Sequence, residues 1–227
     1  MQPKKAPLLN VNLRWFLFAM ILANIAGQMA YSMLSLYLIE LGASVGQVGL
    51  VFTVASLVPM ALQIFGGWFS DTVGRLRAIA LGSAISVIGY VFFFASPSWE
   101  WVMLGLCVEY ISNSFVGPSF SAYIAEQSEE SVRGRVYGVT RGIYMVVTVI
   151  GPTLAGMLAY RYNFRLMLVV AFVFYALATV VRVWMALSIR SFFCSALRGI
   201  FALHYLIRIN FTGTYLADSP AANFFND

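Results

Sequence analysis

Glu109 stands near the middle of a long apolar run, Trp101–Ala125. A carboxyl in an apolar medium is costly, so it lines a cavity or pairs with a cation. It is also a group that can take up and release a proton. Asn24 and Gln28 lie one helical turn apart in another apolar run and share a face with Tyr31. Their side chains offer hydrogen bonds either to a small molecule or to a neighbouring helix. Asn113 and Ser114 face the same two options. Arg141 lies about one turn into a third run, where it either snorkels to the surface, the favoured reading, or faces a cavity. Glu109, Asn24, Gln28, Tyr31, Asn113 and Arg141 are therefore the candidates for substrate contact or proton coupling. Arg182, near the end of the last run, is expected to snorkel.

A second constellation is GGWFSDTVGRLR, Gly66 to Arg77. Gly67 has no side chain and is expected to let another helix approach. Gly74 permits a tight turn. Asp71, Arg75 and Glu126 carry charges that could meet at one rim of a bundle, with Arg77 beside them. A third is Gly151-Pro152-Thr153-Leu154-Ala155-Gly156, with Gly142 upstream. Pro152 removes a backbone donor and is expected to kink its helix.

Other chemistries lack their residues. The one histidine, His204, cannot build a metal site or a triad, and Cys107 and Cys194 have no metal or redox spacing. No Gly-rich loop ending in Gly-Lys-Ser/Thr is present, so no ATP-driven motor is expected. No enzyme, cofactor or metal is expected. An intramembrane aspartyl protease would need two membrane aspartates, and Asp71 is alone in the body of the chain.

The elements that must hold these residues follow from composition. The chain has 227 residues, 61% hydrophobic and 10% charged. A soluble domain carries about 25% charged residues. The solvent must therefore be a lipid bilayer over most of the protein. Lys and Arg are scattered singly between apolar runs, so the net charge of +5 does not indicate nucleic acid. Six runs reach the roughly 20 residues that a helix needs to cross the hydrocarbon core. They are Trp15–Ile39, Val45–Ser70, Ala78–Ser96, Trp101–Ala125, Val136–Tyr160 and Leu166–Leu187. The first is too long for a signal peptide. Short breaks imply antiparallel neighbours.

Lys4, Lys5, Arg14, Arg75, Arg77, Arg133, Arg135, Arg190 and Arg198 flank one side, against Arg161 and Arg165 on the other. Both termini are therefore expected in the cytoplasm of a multi-pass cell-membrane protein. Residues 1–14 form a cytoplasmic N-terminus, 15–189 the six-helix body, and 190–227 an atypical tail, interfacial or disordered. Gly49 and Gly138 lie about 89 residues apart, as do Gly67 and Gly156. That shift equals three spans, an odd number, so the second copy is inverted, a device of secondary transporters.

Gly67, Asp71, Gly74 and Arg75 match the signature Gly-x-x-x-Asp-(Arg/Lys)-x-Gly-(Arg/Lys)-(Arg/Lys) between helices two and three. On these residues the chain resembles the major facilitator superfamily. Thr72 replaces a usual cation, and Leu76 displaces the second to Arg77. The stretch QSEESVRGRVYGV resembles that family's second cytoplasmic loop. Gly151 to Gly156 resembles its Gly-Pro-x-x-Gly-Gly pattern, with Ala155 in the fifth place, a pattern associated with antiporters. Many drug exporters of the family carry an Arg in the fourth helix, where this chain has Leu106.

The resemblance covers about residues 10 to 190. It implies an all-α membrane fold of six transmembrane helices as two inverted three-helix repeats, half of a major facilitator fold. It implies a conformational latch at Gly67, Asp71, Gly74, Arg75, Arg77 and Glu126. The expected activity is secondary active transport of a small molecule, leaning to drug or metabolite efflux by proton antiport. The expected partners are lipid, a substrate, a coupling proton, and a second half supplied by a homodimer or another chain. The alternative is a truncated, non-transporting fragment or membrane scaffold.

Overall fold

The computed structural model describes residues 11–188. The expectations for Lys4, Lys5, Cys194, Arg190, Arg198, His204 and the 190–227 tail lie outside the described residues. Six helices follow in order: α1 Val11–Glu40, α2 Val45–Val73, α3 Arg75–Ala95, α4 Trp99–Gln127, α5 Arg133–Arg161 and α6 Phe164–Ser188. Each matches one expected span, although α3 stops at Ala95, one residue short of the expected end at Ser96. Most of the helices run past the apolar runs, so α1 begins at Val11 rather than Trp15, and Arg14 lies inside it. Asp71 closes α2 and Arg77 opens α3, which leaves Gly74 alone between the two helices. Charged ends can stay helical because they project beyond the hydrocarbon. A 29-residue helix is about 44 Å long, against a core of about 30 Å.

Local signals fix the breaks. Ser44 caps α2 in a reciprocal box: its hydroxyl accepts from the Gln47 N–H at 3.3 Å, and Gln47 Oε1 accepts from the Ser44 N–H at 2.8 Å. Gly74 turns the chain at φ +101°, in the region that favours glycine, and donates its N–H to the Ser70 carbonyl at 3.1 Å. Pro59, Pro118 and Pro152 all sit inside continuous helices.

Among the described residues five helices are long and apolar enough to cross a membrane by themselves. The exception is α4, whose buried face carries Glu109, Ser112, Ser114 and Ser119. Its neighbours cover that face, so low hydropathy here reflects a polar interior seam.

The packing repeats as the sequence does. α1 packs on α5 and α6; α4 packs on α2 and α3; α3 and α6 meet each other. Exchanging α1 with α4, α2 with α5 and α3 with α6 returns the same set of partners. The fold is thus an all-α membrane bundle of two inverted three-helix repeats. Two apolar clusters fill it. One gathers Leu13, Phe16, Met20, Ile79, Ile124 and Val136 near the α2–α3 turn. The other gathers Met29, Leu34, Tyr37, Phe93, Leu106 and Met167. α2 and α5 are the least covered of the apolar helices and present apolar side chains outward, including Leu57, Met60, Ile64, Val146 and Val149.

Candidate functional site

α3 and α4 pack backbone to backbone at Gly89 and Gly105. A Cβ on Gly89 would lie 3.0 Å from the Gly105 carbonyl oxygen. This approach seals Glu109 into the bundle, and its residue is 3% exposed. One face of α4 then opens onto a cavity of about 510 Å³, which α1, α5 and α6 complete. That volume suits a small-molecule pocket.

Helical spacing sets the lining. Asn24, Gln28 and Tyr31 of α1 face it in successive turns, and Glu109 and Asn113 of α4 do the same. α5 contributes Tyr137, Arg141 and Tyr144; α6 contributes Tyr175 and Arg182. The structure thus brings all six candidate coupling residues to one cavity. Asn113 Nδ2 reaches Glu109 Oε1 at 3.5 Å. Asn24 spends its amide on the Met20 carbonyl of its own helix at 2.9 Å. Gln28 donates to the Tyr144 hydroxyl at 3.4 Å and so joins α1 to α5. Ser114 donates to the Tyr110 carbonyl within its own helix at 2.9 Å.

Arg141, an exposed side chain, lines the cavity, one of its two open readings, with its guanidinium 5.5 Å from the Tyr144 ring centroid. The expectation that Arg182 snorkels is corrected. Arg182 is 3% exposed, and its Nη1 donates to Ser83 Oγ on α3 at 2.6 Å. The physical reason is that a polar acceptor and a carboxyl inside the bundle offer Arg182 what the surface would.

Behind the cavity runs a belt of hydroxyls. Ser83 donates to the Ile79 carbonyl at 2.7 Å. Ser86 donates to Ser112 at 2.6 Å, and Ser112 to the Gly82 carbonyl at 2.5 Å. Tyr90 and Tyr175 stack with centroids 4.8 Å apart. Four buried polar atoms have no hydrogen-bond partner among the described residues: Glu109 Oε2, Arg182 Nε, Tyr31 Oη and Tyr90 Oη. Buried polar groups are nearly always satisfied, so these four atoms, on α1, α3, α4 and α6, call for an explanation. Sequence reasoning missed Ser83, Ser86, Tyr90 and Tyr175. The available signal was two serines three residues apart in an otherwise apolar span.

The second constellation assembles at one rim. Arg75 pairs with Asp71 and, through Nε at 3.0 Å, with Glu126 Oε1 of α4. Its Nη1 also donates to Ser70 Oγ at 3.1 Å, and Ser119 of α4 donates to the same Ser70 at 2.7 Å. Arg77 is largely buried and donates to the Val73 carbonyl at 3.4 Å. The close helix approach expected at Gly67 falls instead at Gly66. A Cβ on Gly66 would collide with the Ser114 backbone of α4, whereas one on Gly67 would meet nothing within 4 Å. In the third constellation, a Cβ on Gly151 would collide with Gln28 of α1. Gly156 lies near Met33, and Gly142 faces open space.

An inverted-repeat helical membrane bundle with a half-open cavity that bears polar side chains between its helices is the architecture of a secondary transporter. The chain belongs to the Major Facilitator Superfamily, whose profile it matches over residues 16–191. It is 26% identical to a Na(+), Li(+), K(+)/H(+) antiporter of Planococcus maritimus, over 70% of this chain and 38% of that protein. It is 27% identical to sugar efflux transporter A of Escherichia coli, over 77% of this chain and 45% of that protein. Its fold matches a crystal structure of the peptide transporter POT in complex with sulfate at a TM-score of 0.72 and 16% identity, covering 93% of this chain and 48% of the other. The chain spans less than half the length of these relatives.

Proposed function

We propose that the chain forms one six-helix wall of a secondary active transporter that exports a small molecule in exchange for protons. Glu109 carries the proton. Asn24, Gln28, Tyr31, Asn113 and Arg141 face the substrate, and the Asp71–Arg75–Glu126 network is the conformational latch. The observation that carries this reading is the buried Glu109 carboxyl, with one oxygen unpartnered, at the wall of a cavity of about 510 Å³. The antiport and efflux names of the two relatives support the direction. A second six-helix unit, either another copy or another chain, closes the cavity against the apolar faces of α2 and α5.

The test is proton flux in proteoliposomes that enclose a pH-sensitive dye, with a panel of alkali cations, sugars and hydrophobic drugs as substrates. One panel member is expected to drive proton movement, and Glu109→Gln should reduce that flux at least about tenfold, the range that one proton-transfer group supplies. Unchanged flux in the variant would remove Glu109 from coupling. No flux with any panel member would count against export by the reconstituted chain.

A further inference from the structure

Three charged residues line the cavity: Glu109, Arg141 and Arg182. Glu109 and Arg182 are each 3% exposed, whereas Arg141 is exposed. The charge that the cavity offers to an entering molecule is therefore a guanidinium. Its donors are unspent. Among the described residues Arg141 makes no side-chain hydrogen bond, and the ion pairs there are both those of Arg75. Asn24 and Gln28, by contrast, spend amide donors on the Met20 carbonyl and the Tyr144 hydroxyl.

The guanidinium is also held in place. Tyr137, Arg141 and Tyr144 recur at the spacing that puts them on one face of α5. Tyr137 is tied to α4, since its hydroxyl donates to the Ser121 carbonyl at 2.8 Å. Tyr144 is tied to α1, since its hydroxyl accepts from Gln28 at 3.4 Å. The Arg141 guanidinium lies over the Tyr144 ring. Gly151 completes the support. A Cβ there would collide with Gln28, so its absence lets Gln28 come close enough to α5 to reach Tyr144.

A guanidinium stacked on a ring keeps its in-plane N–H groups for a ligand. Those groups form a fork that takes the oxygens of a carboxylate or phosphate in pairs. Met20, Ala23, Val116, Phe120 and Ile124 make another part of the wall apolar. We infer that Arg141 is an anion-recognition residue and that the cavity takes a small organic anion, an oxyanion head on an apolar body. Gln28 and Tyr144 position Arg141, and Gly151 is the gap that admits Gln28. The inference rests on the reading that this cavity is the substrate site, and it names the substrate class.

The experiment is equilibrium binding to the full chain in phosphatidylcholine liposomes, with empty liposomes subtracted. The probes share one naphthalene body: naphthoate, naphthamide and naphthylmethylammonium. The carboxylate should bind at least about tenfold more tightly than the amide or the ammonium, the range of a hydrogen bond to a charged group. Arg141→Gln should remove that preference and leave amide binding in place, which also shows that the variant folds. Arg141→Lys should keep a reduced preference, since it has the charge without the fork. Tyr144→Leu should lower the preference with amide binding unchanged, whereas a merely structural role would weaken all the probes alike. Arg133→Gln combined with Arg135→Gln, both exposed and outside the cavity lining, should leave the preference intact. A preference that survives Arg141→Gln, or that falls with the Arg133 and Arg135 charges, would overturn the inference and leave the cavity standing as a substrate site. So would equal binding of the probes to the wild type, or tightest binding of the ammonium. Binding of none of them would sink both readings.

Discussion

At the scale of single residues, direction decides what depth cannot. Arg182 lies near the end of an apolar run, and that depth is consistent with snorkelling. Its position around the helix instead points it at Ser83. The same holds for adjacent glycines. Successive helical residues are turned by about 100°, so Gly66 and Gly67 cannot both face α4. The signature names Gly67, but the contact with the Ser114 backbone falls to Gly66. Overpacking of this kind costs about 1–3 kcal/mol. Gly66→Ala should therefore lower the stability of the protein in detergent by about that amount. Gly67→Ala, with open space around it, should change it by less than about 0.5 kcal/mol. Thermal or denaturant unfolding of the two variants, side by side, checks the assignment. Equal losses would mean that the two helices cross differently.

At the scale of elements, the six spans were legible because a bilayer imposes a length and a polarity on each. Their ends were less so. Charged residues mark where hydrocarbon stops, whereas hydrogen bonds mark where the helix stops, and the second boundary is shown by Gly42, Gly74 and the Ser44 and Asn163 caps. The candidate site was legible as a list, since Asn24, Gln28, Tyr31, Glu109 and Asn113 share helical faces. Its backing was not, because Ser83 and Ser86 acquire meaning only when α3 meets α4 and α6. The Asp71–Arg75–Glu126 network joins the α2–α3 turn to α4, with Asp71 and Glu126 each more than half exposed. Exposed ion pairs contribute only about 0–1 kcal/mol. Stability alone is therefore a weak reason for the network. Asp71→Asn should leave membrane insertion intact and shift unfolding by less than about 1 kcal/mol, yet reduce transport severalfold. Parallel measurement of expression, unfolding and flux separates the two effects. Transport at the wild-type rate would remove Asp71 from any latch.

At the scale of the whole molecule, the inverted repeat puts like elements on opposite faces. The single-residue turn at Gly74 and the short α4–α5 connection lie at one end; their inverted counterparts, at Asn163 and in the α1–α2 connection, lie at the other. Charge breaks this symmetry. Arg75, Arg77, Arg133 and Arg135 stand at the Gly74 end, against Arg161 and Arg165 at the opposite one. Short basic loops are retained on the cytoplasmic side during insertion. The Gly74 end, with the Asp71–Arg75–Glu126 network, is therefore expected to face the cytoplasm. Ser131 in the α4–α5 connection and Asn163 between α5 and α6 are both exposed and mark the two ends. Single cysteines at these positions, in a background with Cys107 and Cys194 replaced by serine, read the orientation directly. A membrane-impermeant maleimide added to intact cells should label Asn163→Cys strongly. It should label Ser131→Cys only after the membrane is opened. The opposite pattern would place the latch outside and reverse the assignment of the two rims. Equal labelling of both before opening would mean mixed insertion, in which case the arginines at the Gly74 end do not outweigh the two at the other.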